Sequence, residues 1–341
     1  MKLPSSARCL LVPLVPLYRL ALALRELRLR SGLEPVRRLR FPVVSIGNLS
    51  TGGAGKTPLT IALAKALAAR GLRVDVLSRG YGRKSQLATR VRPDGNAEDF
   101  GDEPLLIARE TGLPVYLAPL RYDAGLLAEA DAQQTANENH PPIIHLLDDG
   151  FQHRQLARDV DILLLNQHDW QDKLLPAGNL REPLHAIRRA SVIAIPANEP
   201  ELEEELRIWG WQAPIWRLRR TMEIPAVSGP VAAFCGIARP EQFFAGLEAA
   251  GLHLATRTAF PDHHSYTVRD LDRLVAAARA AGATAIITTE KDLVRMGKLA
   301  SIFPASIPLV AARLRIEIQD EGAAINWLVS RLAPGSPHPP L

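Results

Sequence analysis

Short apolar runs recur along the first 200 residues of the chain. They lie at residues 43–46, 74–77, 143–147, 160–165 and 192–195. Continuous apolar runs of this length are typical of strands that are buried on both faces of a sheet. Residues 58–69 instead have a helical pattern that stops before Gly71, a residue type that commonly ends helices. The alternation of strands and helices predicts an α/β fold with a mainly parallel sheet.

A second series of strand and helix patterns begins near residue 231. It runs from "VAAFC" through "HLATRTAF" and "TAIITT" to "IPLVAARL", with helical patterns after Pro240 and at 268–280. Residues 201–230 contain charge runs, proline and tryptophan but little periodicity, which favours a linker. We therefore predict a core domain at 41–200, a linker at 201–230 and a second, smaller α/β domain at 231–332. The Pro-rich tail, 333–341, is predicted to be disordered.

Residues 1–40 form an N-terminal arm of different character. Cys9 to Tyr18 carry no charge, but this run is too short for a bilayer span, which needs about 20 apolar residues. Farther along, leucines share one helical face and arginines are threaded between them: Leu17, Leu20, Leu24 and Leu27 with Arg19, Arg25, Arg28 and Arg30. This pattern predicts an amphipathic helix on an anionic membrane surface. The alternative is an ordinary surface helix packed on the body.

The positive charge of the chain is concentrated in this arm. The formal net charge is +5, yet residues 1–40 alone hold nine Lys or Arg and two acidic residues. The remaining body is therefore slightly acidic, which argues against a nucleic-acid partner. Cys9 and Cys235, the two cysteines of the chain, have no metal-ligand spacing, and a reduced, cytoplasmic setting is the simplest inference.

A glycine-rich stretch, "VVSIGNLSTGGAGKTP" at 43–58, follows the first predicted strand. It departs from the pattern G-x-x-x-x-G-K-S/T because Ser50 stands where the first glycine belongs. The other parts of a phosphate-binding loop are present: permissive glycines, a lysine for the outer phosphates and a hydroxyl for Mg²⁺. Lys56 is also a candidate catalytic residue. The predicted ATP-binding residues are Ser50, Thr51, Gly52, Gly53, Ala54, Gly55, Lys56 and Thr57.

Two adjacent acids, Asp148 and Asp149, emerge at the end of the strand pattern at 143–147. In an α/β fold this end of the strand lies near the phosphate loop, so the acids and Thr57 are candidate Mg²⁺ ligands. Which acid would ligate directly is open, and a polar strand exit that caps a turn is the alternative. The guanine motif N-K-x-D has no match with correct spacing, since in "TTEKD" Lys291 directly precedes Asp292. ATP is therefore favoured over GTP.

Two further polar clusters lie between the loop and the acids. "SRGYGRK" at 78–84 contains Arg79 and Tyr81, which could bind an anionic acceptor or belong to a solvated turn. Asp102 in "GDEP" fits a helix N-cap. It could equally lie near the γ-phosphate and help to deprotonate a hydroxyl.

Taken together, the motifs resemble one family. "GNLSTGGAGKTP", "SRGYG", "GDEP", "DDGFQHRQLARDVDI", "LPAGNLREP", "FCGIARPEQF", "FPDHHSYT" and "TTEKD" occur in this order over residues 41–292. This combination closely resembles the tetraacyldisaccharide 4′-kinases of the lipid A pathway of Gram-negative bacteria. The substitution at Ser50 is shared by that family's pattern, and the basic arm is also similar.

The resemblance implies a phosphate transfer that requires ATP and Mg²⁺. The acceptor would be the 4′-hydroxyl of the tetraacyl glucosamine disaccharide 1-phosphate, the product lipid IVA, and the location the cytoplasmic face of the inner membrane. It also implies an Asp102–His263 catalytic pair, with His264 a less favoured alternative. The residues implied in substrate binding are Asn48, Arg79, Tyr81, Arg121, Arg181 and Glu182.

Two other functions fit part of the pattern. A membrane-associated P-loop ATPase that acts on protein partners would need the loop and the arm but not His263. An arginine-rich nucleic-acid binder is weakened by the acidic body. No obligate protein partner is expected.

Overall fold

The computed structural model describes residues 9–134 and 143–333, whose strands form one sheet. In this part of the chain the strands are β1 (Val43–Asn48), β2 (Arg73–Ser78), β3 (Thr89–Arg90), β4 (Val115–Leu117), β5 (Ile143–Asp148), β6 (Val160–Leu164), β7 (Val192–Pro196), β8 (Ile215–Glu223), β9 (Val231–Cys235), β10 (Leu254–Ala259), β11 (Ala285–Thr289) and β12 (Leu309–Ile318).

The order of the strands is β10-β9-β11-β12-β8-β7-β6-β1-β5-β2-β4-β3. All neighbouring pairs are parallel except β8–β12 and β3–β4. The predicted α/β fold with a mainly parallel sheet is confirmed. We call residues 43–208 the first half and residues 231–332 the second half.

Helices connect the strands. They are α1 (Val15–Arg30), α2 (Lys56–Ala69), α3 (Ala97–Phe100), α4 (Asp102–Thr111), α5 (Arg121–Gln134), α6 (Gln167–Gln171), α7 (Pro200–Ile208), α8 (Pro240–Ala249), α9 (Val268–Ala280), α10 (Glu290–Met296) and α11 (Glu321–Leu332). Short 3₁₀-helices occupy Cys9–Leu14, Leu184–Arg189 and Gly297–Ile302.

The segment expected as a linker, 201–230, contains most of α7 and the whole of β8. β8 pairs with β7 on one side and with β12 on the other, so it joins the two halves into a continuous sheet. The sequence hid this strand because its outward-facing positions are charged. Trp216 and Leu218 are buried, whereas Arg217 and Arg219 between and beside them are exposed.

Two apolar clusters cover opposite faces of the sheet in the first half. Successive residues of β6 show this directly, since Ile162 and Leu164 belong to one cluster and Leu163 to the other. Alternate strand residues point to opposite faces, so the core is a pair of layers around the sheet. Burial on both faces explains why these strands read as continuous apolar runs.

The arm helix α1 packs only one side against the body. Tyr18 and Leu22 contact the apolar cluster beneath it. Its other side exposes more than half of each of four leucine side chains: Leu17, Leu20, Leu24 and Leu27. Among residues 9–134 and 143–333, no helix has the length and apolarity that a bilayer crossing requires. The tail predicted to be disordered lies outside the described residues from 334 onward.

Candidate active site

A cavity of about 690 Å³ lies where strands of both halves end. Its wall includes residues that follow β1, β2 and β5 in the first half and β9 and β11 in the second half. Ligands of open parallel sheets bind outside the carboxyl ends of the strands. The cavity is therefore in the position expected of an active site.

The phosphate-binding loop forms the floor of this cavity from Gly52 to Thr57. Gly52 and Gly55 have left-handed backbones with φ of +106° and +92°, and Gly55 directly precedes α2. The positive φ favours glycine at position 55, and a Cβ there would lie 2.7 Å from the Arg220 guanidinium, which would have to shift. Arg220, from β8, donates to the Ala54 carbonyl. The exposed N-terminus of α2 suits a phosphate.

Ser50 and Thr51 lie behind the cavity wall, which begins at Gly52. The Ser50 side chain is fully buried, and its Oγ accepts from Asn48 Nδ2 at 3.0 Å. Asn48 Oδ1 in turn accepts from Lys56 Nζ at 2.9 Å and from Arg181 Nη2 at 2.6 Å. Ser50 and Asn48 therefore brace the cationic groups of the site from behind.

The two acids at the end of β5 have different surroundings. Asp148 is buried and its Oδ1 accepts from Thr60 at 3.1 Å, whereas Asp149 lies 3.5 Å from Lys56 Nζ and 2.9 Å from Arg181 Nη2. Burial raises the pKa of Asp148 to about 7, and the neighbouring acids add to this effect. Burial would also raise the pKa of Asp149, but Lys56 and Arg181 outweigh it and lower that pKa.

The proposed Mg²⁺ ligands fit such an ion in type. Thr57 and Asp148 both border the cavity, and Mg²⁺ in kinases is held by one or two protein oxygens together with phosphates and waters. The raised pKa of Asp148 arises from burial and nearby negative charge, a setting that a divalent cation relieves. In the described part of the chain, no group of three or more His, Cys, Asp or Glu residues is arranged to hold a metal.

Asp102 and His263 come from different halves and meet at the cavity wall. Asp102 begins α4 and is 5% exposed, and its Oδ2 lies 3.2 Å from His263 Nδ1. The Tyr81 ring lies 5.4 Å from the His263 ring. The hydrogen bond that Asp102 accepts from the His263 imidazole raises the pKa of His263. Burial would raise the pKa of Asp102, but His263, Arg295 and Lys291 together hold it below its usual range.

His264 is held elsewhere. Its Nε2 lies 3.2 Å from Asp270 Oδ2, and its ring stacks on Phe260 with a centroid distance of 4.5 Å. Asp270 takes part in the capping box of α9. The structure therefore brings His263, and not His264, to Asp102.

The remaining side of the cavity is cationic. Arg79, Tyr81 and Arg121 line it, as the sequence suggested, together with Arg25 of the arm and His153. Burial and neighbouring arginines, Arg79 among them, lower the pKa of Arg121 to about 10. Burial beside Arg121 also lowers the pKa of His153 to about 3, so that imidazole is neutral.

Arg181 also borders the cavity, but Glu182 lies behind it. Glu182 pairs with Arg189 at 2.7 Å and is largely buried. Because Arg181 contacts both Asn48 and Asp149, the first half presents a connected network of charges to the cavity.

Several site residues gave no signal that the sequence analysis used. Arg295 donates from Nε to Asp102 Oδ2 at 2.6 Å, and Lys291 pairs with Glu103. Arg25 of α1 donates to the Gln152 carbonyl at 2.7 Å, which ties the arm to the site. A signal was available for Arg295, since it follows Asp292 by three residues and such spacing puts two side chains on one helical face.

Comparisons with known proteins agree with this geometry. The family model for tetraacyldisaccharide-1-P 4′-kinase matches residues 7–333. A tetraacyldisaccharide 4′-kinase of Koribacter versatilis is 39% identical over 328 residues, which cover 93% of this chain and 97% of that protein. The corresponding enzyme of Geobacter metallireducens is 39% identical over 310 residues, 83% of this chain and 87% of that protein.

A solved structure is similar over nearly the whole chain. LpxK from Aquifex aeolicus in complex with ATP superposes with a TM-score of 0.72 at 30% identity, covering 96% of this chain and 100% of that one. The chain therefore belongs to the tetraacyldisaccharide-1-P 4′-kinase family, and it is an ATP-dependent phosphotransferase with an alcohol group as acceptor.

Proposed function

We propose that the cavity transfers the γ-phosphate of ATP to the 4′-hydroxyl of the tetraacyl glucosamine disaccharide 1-phosphate, which gives lipid IVA. The reaction is the one that defines the family. The observation that carries the assignment of residues is the contact between His263 and Asp102 at the wall of a cavity whose floor is the phosphate loop.

The first half binds the nucleotide in this proposal. The amides of Gly52 to Thr57 and the N-terminus of α2 receive the phosphates, and Lys56 approaches the outer two. Thr57 and Asp148 would hold Mg²⁺, which would neutralise phosphate charge. Asp149, already paired with Lys56 and Arg181, keeps the lysine in place.

His263 acts as the general base. Its Nδ1 faces Asp102, so Nε2 is the atom that accepts the proton from the 4′-hydroxyl. The freed oxygen bonds to the γ-phosphorus while the bond to the bridging oxygen breaks and ADP leaves. Most of the lowering of the barrier comes from Lys56 and from the positioning of the phosphate.

The cationic side of the cavity receives the acceptor. Arg79, Arg121 and Arg181 suit a phosphorylated sugar because guanidinium groups bind phosphate oxygens in pairs. Tyr81 lies beside His263 and can stack against the sugar. Asn48 does not contact the acceptor directly but holds Arg181 in place. Glu182 likewise lies behind the cavity, where it pairs with Arg189.

The arm brings the site to its lipid substrate. The uncovered leucines of α1 enter the interface at the cytoplasmic face of the inner membrane, while its arginines meet anionic head groups. Arg25 reaches from this helix to the cavity, so the acyl chains remain in the bilayer while the head group reaches His263. This gives the arm a role in delivery as well as in attachment.

The test is transfer of labelled γ-phosphate from ATP to the tetraacyl disaccharide 1-phosphate in detergent. We expect labelled lipid with the wild-type protein and none with Lys56→Ala. ATP hydrolysis that is indifferent to the lipid would contradict the proposal and favour an ATPase. Salt-sensitive binding to DNA or RNA would favour a nucleic-acid binder.

A further inference from the structure

Arg295 is the most deeply embedded cation of the second half that touches the Asp102–His263 pair. Its side chain is 7% exposed, and its guanidinium reaches three acceptors at once. Nε donates to Asp102 Oδ2 at 2.6 Å, and Nη1 donates to Asp292 Oδ1 at 2.9 Å and to the Gly236 carbonyl at 2.5 Å. A planar guanidinium suits such divided bonding, whereas an ammonium does not.

The Gly236 carbonyl connects Arg295 with the second member of the pair. The same oxygen accepts from the backbone N–H of His263 at 3.1 Å. His263 has a left-handed backbone with φ of +58°, a conformation that non-glycine residues adopt only when their surroundings hold them there. The Arg295 guanidinium and the backbone N–H of His263 therefore share one acceptor, the Gly236 carbonyl.

Asp292 fixes Arg295 from the other side. This carboxylate is fully buried, and its Oδ1 also accepts from Tyr266 at 2.8 Å and from the Gly236 N–H at 3.1 Å. Arg295 is thus held by Asp292 within the second half, and it donates to the Asp102 carboxylate of the first half. The contact joins residues that are 193 positions apart in the chain.

We propose that Arg295 is a positioning residue for the transfer reaction, which fixes the Asp102 carboxylate and the His263 backbone together while sharing Asp102 Oδ2 with the imidazole. The proposal rests on the proposed function of the pair. Arg295 is not a catalytic residue in this account, because it acts through Asp102 and Gly236 and touches neither substrate.

Because His263 and Arg295 share Asp102 Oδ2, Arg295 affects the pKa of His263. Asp102 raises the pKa of His263 and Asp262 adds to that effect, while Arg295 lowers it. Two further groups lie near the Asp102–His263 pair: the Tyr81 ring beside the imidazole, and Lys291, which lowers the pKa of Asp102. Without the guanidinium, Asp102 interacts more fully with the imidazole, so the pKa of His263 rises. A neutral base is then available only at higher pH.

The experiment compares Arg295→Gln with the wild-type protein over the pH range 5.5–9 and measures kcat, the KM for lipid and ATP binding. We expect kcat at neutral pH to fall by about 10²-fold, as for a misplaced reacting group. The acid limb of the kcat profile should move up by about one pH unit, while ATP affinity changes little. A uniform loss of kcat with the acid limb unmoved would mean a merely structural role and would overturn the proposal.

Arg257→Gln serves as the matched control, since Arg257 is an exposed arginine of the second half that pairs with Glu248. It should leave the profile unchanged. Arg295→Lys keeps the charge but loses the planar guanidinium that donates to several acceptors. We therefore expect reduced kcat, with the acid limb of the profile near its wild-type position. If the Gln variant does not fold, by circular dichroism and thermal melting, a Lys variant with wild-type kcat overturns the proposal by itself.

Failure of the underlying function gives a different result. If His263→Ala retains normal turnover, the pair is not the base and the proposed function fails. If His263→Ala is inactive but Arg295→Gln behaves like the wild type, only the role of Arg295 fails.

Discussion

The two walls of the cavity distribute their charges in different ways. In the nucleotide wall, which we define as Gly52–Thr57 with Asp148, Asp149 and Arg181, the ionic contacts remain within the first half. The transfer wall is defined as Asp262, His263 and Lys291, with Arg295 buried behind them. His263, Lys291 and Arg295 pair with Asp102 or Glu103 of the first half. The charged groups that face the nucleotide are therefore paired within one half, whereas transfer depends on ionic contact between both.

The origin of the difference lies in the topology. The nucleotide wall is built on the adjacent strands β1 and β5, so its residues are positioned by a single parallel sheet. The transfer wall follows strands β10 and β11 at the other end of the sheet, and it meets the first half where α10 packs against α4. Substitutions in the transfer wall should therefore reduce turnover while ATP binding persists.

The largest expected effect is that of His263→Ala. Loss of a general base reduces kcat by on the order of 10²- to 10⁴-fold, while the affinity for Mg-ATP, measured by calorimetry, stays close to that of the wild type. His264→Ala is the matched control, because His264 contacts Asp270 rather than Asp102. Near-normal turnover of the His263 variant would remove it from the mechanism.

The pH dependence of kcat tests the charge of the transfer wall. Since Asp102 raises the pKa of His263 above its ordinary 6.5 and only the neutral imidazole accepts a proton, activity should rise through an apparent pKa above 6.5. Asp102→Asn should lower kcat and move this limb to lower pH, because the anion that stabilises the imidazolium is gone. Steady-state assays across pH 5.5–9 measure the position of this acid limb. If Asp102→Asn leaves the limb where it is in the wild type, the assignment of Asp102 and His263 as a pair is contradicted.

A smaller effect is expected at the second ionic contact between the walls. Glu103 and Lys291 pair across the cavity, and Lys291 lowers the pKa of Glu103. Glu103→Gln and Lys291→Met should each lower kcat/KM modestly, and the double variant should be little worse than either. A double-mutant cycle should give a coupling of about 1 kcal/mol, whereas strictly additive effects would show that the pair does not couple the halves.

The smallest effect on chemistry is expected in the arm. Leu20→Ser with Leu24→Ser removes apolar side chains that the body does not cover, so partition into anionic vesicles should fall by about tenfold or more. Turnover on detergent-solubilised lipid should change little, since both walls are intact. Leu126→Ser, at an exposed leucine of α5, is the control. Unchanged vesicle binding of the arm variant would refute the role of α1 at the membrane.

The predictability of the site differs between the walls for a physical reason. The phosphate loop and the acidic pair are local features, because a strand, a turn and a helix N-terminus position them within a few residues. His263 could be named only through resemblance to a family, since nothing near it in the chain marks it as a base. The spacing of Arg295 from Asp292 is a local signal, but the contacts of Arg295 and Arg220 with the site join residues 193 and 166 positions apart, which the sequence does not show.

The strand β8 gives the same lesson for the fold. Its exposed positions are charged, so the sequence predicts a linker where the structure has a strand of alternating buried and exposed residues. Its place between β7 and β12 follows from pairing with two strands distant in sequence. Backbone pairing of that kind leaves little trace in the residues of one strand alone.

The sequence by itself determined the alternating architecture, the phosphate-binding loop and the leucine face of the arm helix, because each depends on the order of neighbouring residues and on local hydrophobic periodicity. Only the tertiary structure decided that one sheet joins the halves, that His263 rather than His264 meets Asp102, and that Arg295 holds both. These features depend on contacts between side chains that are distant in sequence and meet at one buried site. Solvent is excluded there, so each buried charge requires a charged or hydrogen-bonding partner.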